Sequence, residues 1–409
     1  MTTLDNRPAT IDWTARRVPD SADAWLARAR EVREVLAVGA AARDRAGETP
    51  YNEIALLKDS GLVTLLGPVA HGGGGQEWPT AYRVVREIAA ADGSIGQLLG
   101  YHYLWNWAAR LVGTPEQIEA VEADAARNRW FFGGAVNPRD TDVRVRDEGD
   151  HIVFNGRKSF STGSKVSDVT VLEGVLDGTD THIFAIVPSD QPGITFHDDW
   201  DNVGQRLTES GGVTISEVSV PWAAAAGFVG KTFQPRVYNT LNVPTIQLVF
   251  VSFYLGIARG ALETATGYTR TESRSWLHGG HDRAVDEPYV LDLYGDLASK
   301  LWAVEALADQ VAQEGLVLHR DAWQVTEQQR GEHEVRVAAV KARATDVALE
   351  VTSRILEGTG ARSTTTELGL DRFWRNVRTH TLHDPVAYKR REVGAHLLRD
   401  ELPEPTWYS

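Results

Sequence analysis

The sequence predicts an α+β protein, mainly helical, in which a central block of strands separates two helical blocks. Three observations carry this expectation. Helical periodicity fills roughly the first 125 residues, and short alternating apolar runs take over between about 130 and 230. Long segments with a 3.6-residue period then return after Pro235. The implied domains are a helical 1–128, a β domain 129–234 and a helical bundle 235–409.

Residues 1 to about 20 are polar with little periodicity and read as an arm. From Asp23 to Arg45, Trp25, Ala29, Val32, Leu36 and Ala40 form one helical stripe. Tyr51 to Leu57 reads as a short helix closed near Gly61. The run His71-Gly-Gly-Gly-Gly75 lacks the Lys-Ser/Thr ending of a phosphate-cradling loop and reads as a turn. Pro79 suits the first turn of a helix that Asp92-Gly93 ends. Thr114-Pro-Glu-Gln117 places a capping hydroxyl three residues before a glutamine, a helix-start signature.

Val143, Val145, Val153, Val169, Val171, Phe184, Ile186, Val213, Ile215 and Val218 then sit in alternating runs. Asp147-Glu-Gly149, Asn155-Gly156, Asp177-Gly178 and Gly211-Gly212 punctuate them, which predicts an antiparallel barrel or sandwich. Four long helices follow, roughly 245–273, 289–318, 326–358 and 368–398, the pattern of a four-helix bundle. The connection Trp276 to Pro288 is rich in turn residues and is a candidate lid.

A net charge of −14 argues against nucleic acid or an anionic membrane as partner. No run of eighteen apolar residues occurs, so no membrane span is expected, and the N-terminus lacks a secretory pattern. Zero cysteines exclude disulfides and thiolate chemistry, and the cytosol is the expected compartment. Thirteen tryptophans supply flat apolar surface for a core or for aromatic ligands.

The stretch from Asp371 to Pro385 concentrates candidate chemistry. Arg372, Arg375 and Arg378 recur every three residues on one helical flank, as a local anion site would. His380 and His383 project from one side near the helix end and offer proton transfer near neutral pH. Metal binding by His380, His383 and Asp384, or by His278, His281 and Asp282, lacks further ligands nearby, and no metal is expected.

The run Phe373-Trp-Arg-Asn-Val-Arg-Thr-His-Thr-Leu-His-Asp-Pro385 closely resembles the C-terminal signature of flavin-dependent monooxygenases with an acyl-CoA dehydrogenase fold, the dibenzothiophene monooxygenase group. The resemblance continues through Trp78-Pro-Thr-Ala81, Gly100-Tyr-His102, Thr162-Gly-Ser-Lys165, Asp198-Asp-Trp200 and Tyr254-Leu-Gly-Ile-Ala258. It implies an N-terminal helical domain, a central β-barrel or sandwich and a C-terminal four-helix bundle. Acyl-CoA dehydrogenases place a catalytic Glu-Gly-Thr where this chain reads His383-Asp384-Pro385. An imidazole there suits oxygen chemistry, whereas a carboxylate suits removing a proton from carbon.

The resemblance further implies a two-component enzyme. A separate NAD(P)H:flavin reductase would supply reduced FMN or FAD, and O2 would add at flavin C4a to give a hydroperoxide. No nicotinamide-binding fingerprint opens a strand–helix unit in the chain itself. His383 is the expected proton donor, supported by His380, with Thr162 and Tyr101 also in catalytic positions. Phe160, Ser161, Thr162 and Gly134 would border the flavin ring, and Arg274 and Arg362 its phosphate, reaching across subunits of a homotetramer. Gly134 stands where dibenzothiophene-oxidising members carry an active-site asparagine, which predicts extra room beside the cofactor. Trp130, Phe131, Trp200 and Tyr101 would wall a pocket for a polycyclic or heteroaromatic substrate, oxidised at sulfur or hydroxylated on an indole-type ring. The alternative is an acyl-CoA dehydrogenase with a displaced base.

Overall fold

The computed structural model describes residues 11–13, 16–137 and 142–406, so much of the expected N-terminal arm lies outside the described residues. Helix α1 (Ala22–Ala37) begins at Ser21, whose hydroxyl accepts from the Ala24 amide at 3.3 Å. It buries Trp25, Leu26, Ala29, Val32 and Leu36. The single helix expected from Asp23 to Arg45 is in fact two. Gly39 adopts φ +74°, a left-handed conformation open to glycine, and α2 (Ala40–Ala46) starts anew.

Helix α3 (Tyr51–Asp59) is followed by the His71–Gly75 turn and by α4 (Trp78–Ala91), with Pro79 in its first turn. Asp92 ends α4 and also caps α5 (Gly93–Val112), its carboxylate accepting from the Ser94 and Ile95 amides. Helix α6 (Pro115–Asn128) opens with the expected capping box. Thr114 Oγ1 accepts from the Gln117 amide at 3.3 Å and Gln117 Oε1 from the Thr114 amide at 3.0 Å.

Among the described residues seven strands form the central sheet: β1 (Phe132–Ala135), β2 (Arg144–Asp147), β3 (His151–Lys158), β4 (Val169–Leu176), β5 (His182–Pro188), β6 (Ile194–Phe196) and β7 (Val213–Pro221). The sheet is curled and mixed, which corrects the wholly antiparallel expectation. β4 runs parallel to β1 and to β2, which lie in tandem along one of its edges. The cause is the connection from β3 to β4: residues 159–168 reverse the chain but carry it past β2, so β4 lies beside β2 and runs parallel to it. Val145, Ile152, Phe154, Leu172, Ile183 and Ile215 line a core of its own on one face. A two-stranded ribbon, β8 (Phe228–Val229) and β9 (Thr232–Phe233), leads out of the sheet.

The C-terminal block contains α7 (Asn242–Thr271), α8 (Pro288–Arg320) and α9 (Glu327–Thr359). The fourth expected helix is broken into α10 (Asp371–His380) and α11 (Val386–Arg399), because Pro385 cannot continue the ladder. Helix α7 joins the two helical blocks, packing on α4 and α5 from one side and α9 from the other. At Gly260 a Cβ would fall 1.9 Å from the Ala90 carbonyl oxygen, so only glycine permits this crossing of α7 on α4. The stretch Val237–Thr271 is long and apolar enough to cross a membrane, yet 89% of its apolar window is buried inside the protein. It is the core helix. Helices α7 and α9 run side by side in one direction, with Gln247 bonded to Lys341 near one end and Thr269 to Gly358 near the other.

Candidate active site

The end of α10 brings the predicted histidines together. Their rings stack at 5.4 Å with an interplanar angle of 6°. His380 is buried and held at both nitrogens: Tyr101 Oη lies 3.1 Å from Nε2 and Tyr254 Oη 2.8 Å from Nδ1. Burial, aided by His383 and Lys341, pushes the His380 imidazole well below its ordinary pKa. Burial likewise raises the hydroxyl pKa of both tyrosines, so all three groups stay neutral. The edges of Phe250 and Phe253 close on the His380 ring at 4.5 and 4.7 Å.

His383 differs. It follows the helix end, is 51% exposed, and sets Nδ1 3.2 Å from Asp384 Oδ1. Among the described residues Nε2 has no hydrogen-bond partner. Asp384 is tied down from behind, its Oδ2 accepting from Gln247 Nε2 at 2.6 Å and facing Lys341 Nζ at 3.5 Å. Burial works to raise the Asp384 pKa, but the His383 bond, the Lys341 charge and Gln247 together hold it well below the usual carboxylate range. Lys341 is itself buried, bonded to Gln247 Oε1 at 2.6 Å and placed over the Phe250 ring, and burial pushes its ammonium down to about 8.

The arginine flank does not form the anticipated anion site. Arg375 is committed to Asp44, Asp371 and the Val203 carbonyl. Arg372 covers the Phe373 ring and donates to the Gly369 carbonyl. These contacts clamp α10 to its neighbours. Arg378 is half-buried and its guanidinium has no hydrogen-bonded or ion-paired partner among the described residues.

From His380 a closed ring of contacts leads through the other predicted residues. Tyr101 meets Trp105, one turn along α5, edge-on at 6.2 Å. Trp105 lies against Gly134 on β1, whose amide donates to the Thr162 carbonyl at 3.3 Å. Thr162 Oγ1 is 2.8 Å from Ser210 Oγ, which is 2.8 Å from Thr208 Oγ1. Thr208 Oγ1 donates to the Gln205 carbonyl at 2.9 Å, and the Gln205 amide donates to Asn376 Oδ1 at 2.7 Å. Asn376 lies one turn before His380 on α10, which closes the ring. Gln205 and Glu209 hold φ of +53° and +44° in this loop, a strain that the contacts to α10 and the β domain maintain.

Several predicted residues take different places. Ser161 donates its only proton to the Gly211 carbonyl, while Thr162 Oγ1 meets only Ser210 and keeps acceptor capacity. Phe160 is exposed and meets the half-buried Trp200 edge-on at 6.4 Å, while Trp200 Nε1 donates to the Gln205 carbonyl. Trp130 is half-buried beside Phe132. Phe131 is fully enclosed, its ring stacked on His102 at 4.9 Å, so it packs the interior and presents no free face. The extra room expected at Gly134 is absent, because the Trp105 indole occupies it: a Cβ on Gly134 would fall 2.3 Å from Trp105 Cε2.

Arg274 and Arg362 are exposed and form no hydrogen bond or ion pair among the described residues. They lie at the other end of α7, where Ser273 Oγ donates to the Thr359 carbonyl. With 1.5 Å per residue, Tyr254 and Thr271 are about 26 Å apart along the helix. The Trp276–Pro288 connection lies at that same distant end, so it does not cover the histidines of its own chain.

Sequence reasoning missed Trp105, Gln205, Ser210, Gln247, Lys341 and Asn376. One signal was available for Lys341: it falls on the buried stripe Val337, Lys341, Ala344, Ala348 of α9. The ring fits a flavin. Its hydroxyl triad offers acceptor oxygens, and Ser164 Oγ, both Gln205 side-chain atoms and Trp105 Nε1 are buried without partners. Such orphans are rare in native interiors and ask for a polar heterocycle.

Family models agree. Residues 20–128 match the N-terminal domain of acyl-CoA dehydrogenases and residues 248–387 their C-terminal domain. Dibenzothiophene monooxygenase of Mycolicibacterium goodii is 42% identical over 385 residues, 90% of this chain and 92% of that protein. Methanesulfinate monooxygenase MsuC of Pseudomonas fluorescens superposes with a TM-score of 0.91 at 38% identity, covering 94% of this chain and 99% of its own. FMN-bound TdsC of Paenibacillus sp. A11-2 does so with a TM-score of 0.89 at 40% identity and the same coverage. The chain belongs to the acyl-CoA dehydrogenase family, in its branch of flavin-dependent monooxygenases that use reduced flavin and O2.

Proposed function

We propose that the enzyme is the oxygenase of a two-component system, taking reduced FMN or FAD from a separate NAD(P)H:flavin reductase and oxygenating a polycyclic or heteroaromatic substrate at sulfur or at an electron-rich ring carbon. The observation that carries the reading is the histidine pair. One imidazole is locked neutral between two tyrosines, and the other stacks on it with Nε2 unengaged. Bound reduced flavin supplies the electrons that activate O2.

The chain's own residues then have distinct tasks. His383 Nε2 holds and delivers the proton that oxygen transfer requires, oriented by Asp384 through Nδ1. His380 is the platform beneath it, fixed by Tyr101 and Tyr254. The Thr162 hydroxyl bonds the flavin ring, while Ser161 anchors the loop that carries it. Tyr101, Trp105 and Phe250 wall the substrate site and exclude water. Arg274 and Arg362 bind flavin phosphate; their distance from His383 within one chain supports a homotetramer in which they serve a neighbour. Exposed Trp302, Leu397 and Leu398 on the bundle supply apolar surface for that assembly. The setting is cytosolic.

The alternative, an acyl-CoA dehydrogenase with a displaced base, would need a carboxylate free to take a proton from carbon. Asp384 is unsuited, being bonded to Gln247 and His383 and held a weak base. A small alkyl sulfinate is a second substrate reading, favoured by the likeness to MsuC; the aromatic walls favour a ring.

The test supplies the purified protein with FMN, NADH, a generic flavin reductase and 18O2, offering indole, dibenzothiophene and methanesulfinate in separate reactions. One 18O atom in an indole or dibenzothiophene product supports the proposal, and label in the sulfinate product alone replaces the substrate class. Anaerobic bleaching of bound flavin by an acyl-CoA, with no oxygenated product, overturns it.

A further inference from the structure

We propose that Trp105 is a flavin-positioning residue whose indole N–H donates to a carbonyl oxygen or ring nitrogen of the bound isoalloxazine, and that Gly134 is glycine to admit it. The inference rests on the flavin reading given above and gives Trp105, there only a wall of the site, a polar task toward the flavin.

Trp105 is only 8% exposed, and its Nε1 is buried with no hydrogen-bond partner among the described residues. An indole nitrogen carries one donor and no acceptor, so its single demand goes unmet. Trp25 and Trp78 share that condition and pack in the same helical core as Trp105. What sets Trp105 apart is its place in the ring of contacts, between Tyr101 and Gly134.

The fit to Gly134 is tight and one-sided. A Cβ there would stand 2.3 Å from Trp105 Cε2 and 2.6 Å from its Nε1, closer than any real side chain tolerates. Gly134 is also bonded through its amide to the Thr162 carbonyl, so the indole lies one backbone contact from the residue that begins the hydroxyl triad. Of the two guests this site would take, the isoalloxazine always carries acceptors, two carbonyls and ring nitrogens. A hydrocarbon-like aromatic substrate carries none, or only a poor sulfur acceptor. The donor therefore belongs to the flavin.

The experiment measures FMN affinity by fluorescence titration, with no turnover, for the wild type, Trp105→Phe, Gly134→Ala and the double variant. Folding is checked by thermal unfolding. Trp105→Phe keeps a ring of similar shape and loses the donor, so FMN binding weakens by roughly three- to tenfold, as for one lost hydrogen bond. Gly134→Ala displaces the indole and weakens binding by a similar factor. The double variant loses less than the product of the two, because both act on one contact. Wild-type affinity in Trp105→Phe, a change confined to substrate KM, or multiplicative losses in the double variant overturns the inference and leaves the flavin reading standing. A wild type that binds no FMN overturns both.

Discussion

The two ends of α7 differ in kind. Around Phe250 and Tyr254 three groups are engaged and His383 Nε2 alone is left open: His380 is held by two tyrosines, Asp384 by Gln247 and His383, and Lys341 by Gln247 and the Phe250 ring. Around Thr271, Arg274 and Arg362 are exposed without partners among the described residues, in a chain whose other arginines are mostly ion-paired. The first end is a site built within one chain. The second offers two exposed guanidinium groups, the half of a site that the proposed function assigns to flavin phosphate. A helix about 26 Å long between them means one protomer does not apply both ends to one small ligand.

The largest effect that sharpens this contrast falls on the engaged end. Lys341→Met leaves the half-buried Asp384 without its cation and lowers the unfolding free energy by about 2–3 kcal/mol; unchanged denaturant midpoints would break the comparison. Next comes the open end. Arg274→Ala combined with Arg362→Ala weakens FMN affinity by about ten- to a hundredfold, the loss of charge-assisted bonds. The same double variant changes stability by less than about 0.5 kcal/mol, since nothing in the chain depends on those guanidinium groups. A large drop in its melting temperature would contradict this.

Acid gives a smaller, graded effect at the engaged end. Burial pushes the His380 pKa well below 6.5, so as pH falls below 6.5 the unfolded chain gains a proton that the folded chain refuses. Stability therefore drops on acidification, by about 1.4 kcal/mol per pH unit for each such group. His102 and His333, pushed down to about 4, and His319, pushed down to about 3, share the same sign. The arginine double variant should follow the wild-type profile and His380→Phe should fall less steeply, as urea unfolding between pH 7 and 4.5 would show. Smallest is Tyr254→Phe, which removes one hydroxyl from His380 Nδ1 and costs about 1 kcal/mol.

The sequence made the α–β–α order legible because each block repeats one period over many residues. Local chemistry was equally readable: the Thr114 capping box and the Pro385 break follow from neighbours in the chain. The stacking of His380 on His383 was also within reach, being three residues apart. What stayed hidden depends on pairs that meet only after folding. Tyr101 and His380 are separated by 279 positions, Gln205 and Asn376 by 171. The Gly134 position shows the limit best. Its missing side chain suggested empty space, and only the fold reveals that Trp105, on another element, fills it.

The proposed task of His383, directing oxygen into a guest, is tested most directly by the coupling ratio. His383→Ala, given reduced FMN, O2 and an aromatic substrate that the wild type oxygenates, should still consume oxygen while its product per O2 falls at least about tenfold, with hydrogen peroxide making up the difference. Product formed at the wild-type rate and ratio would contradict the assignment.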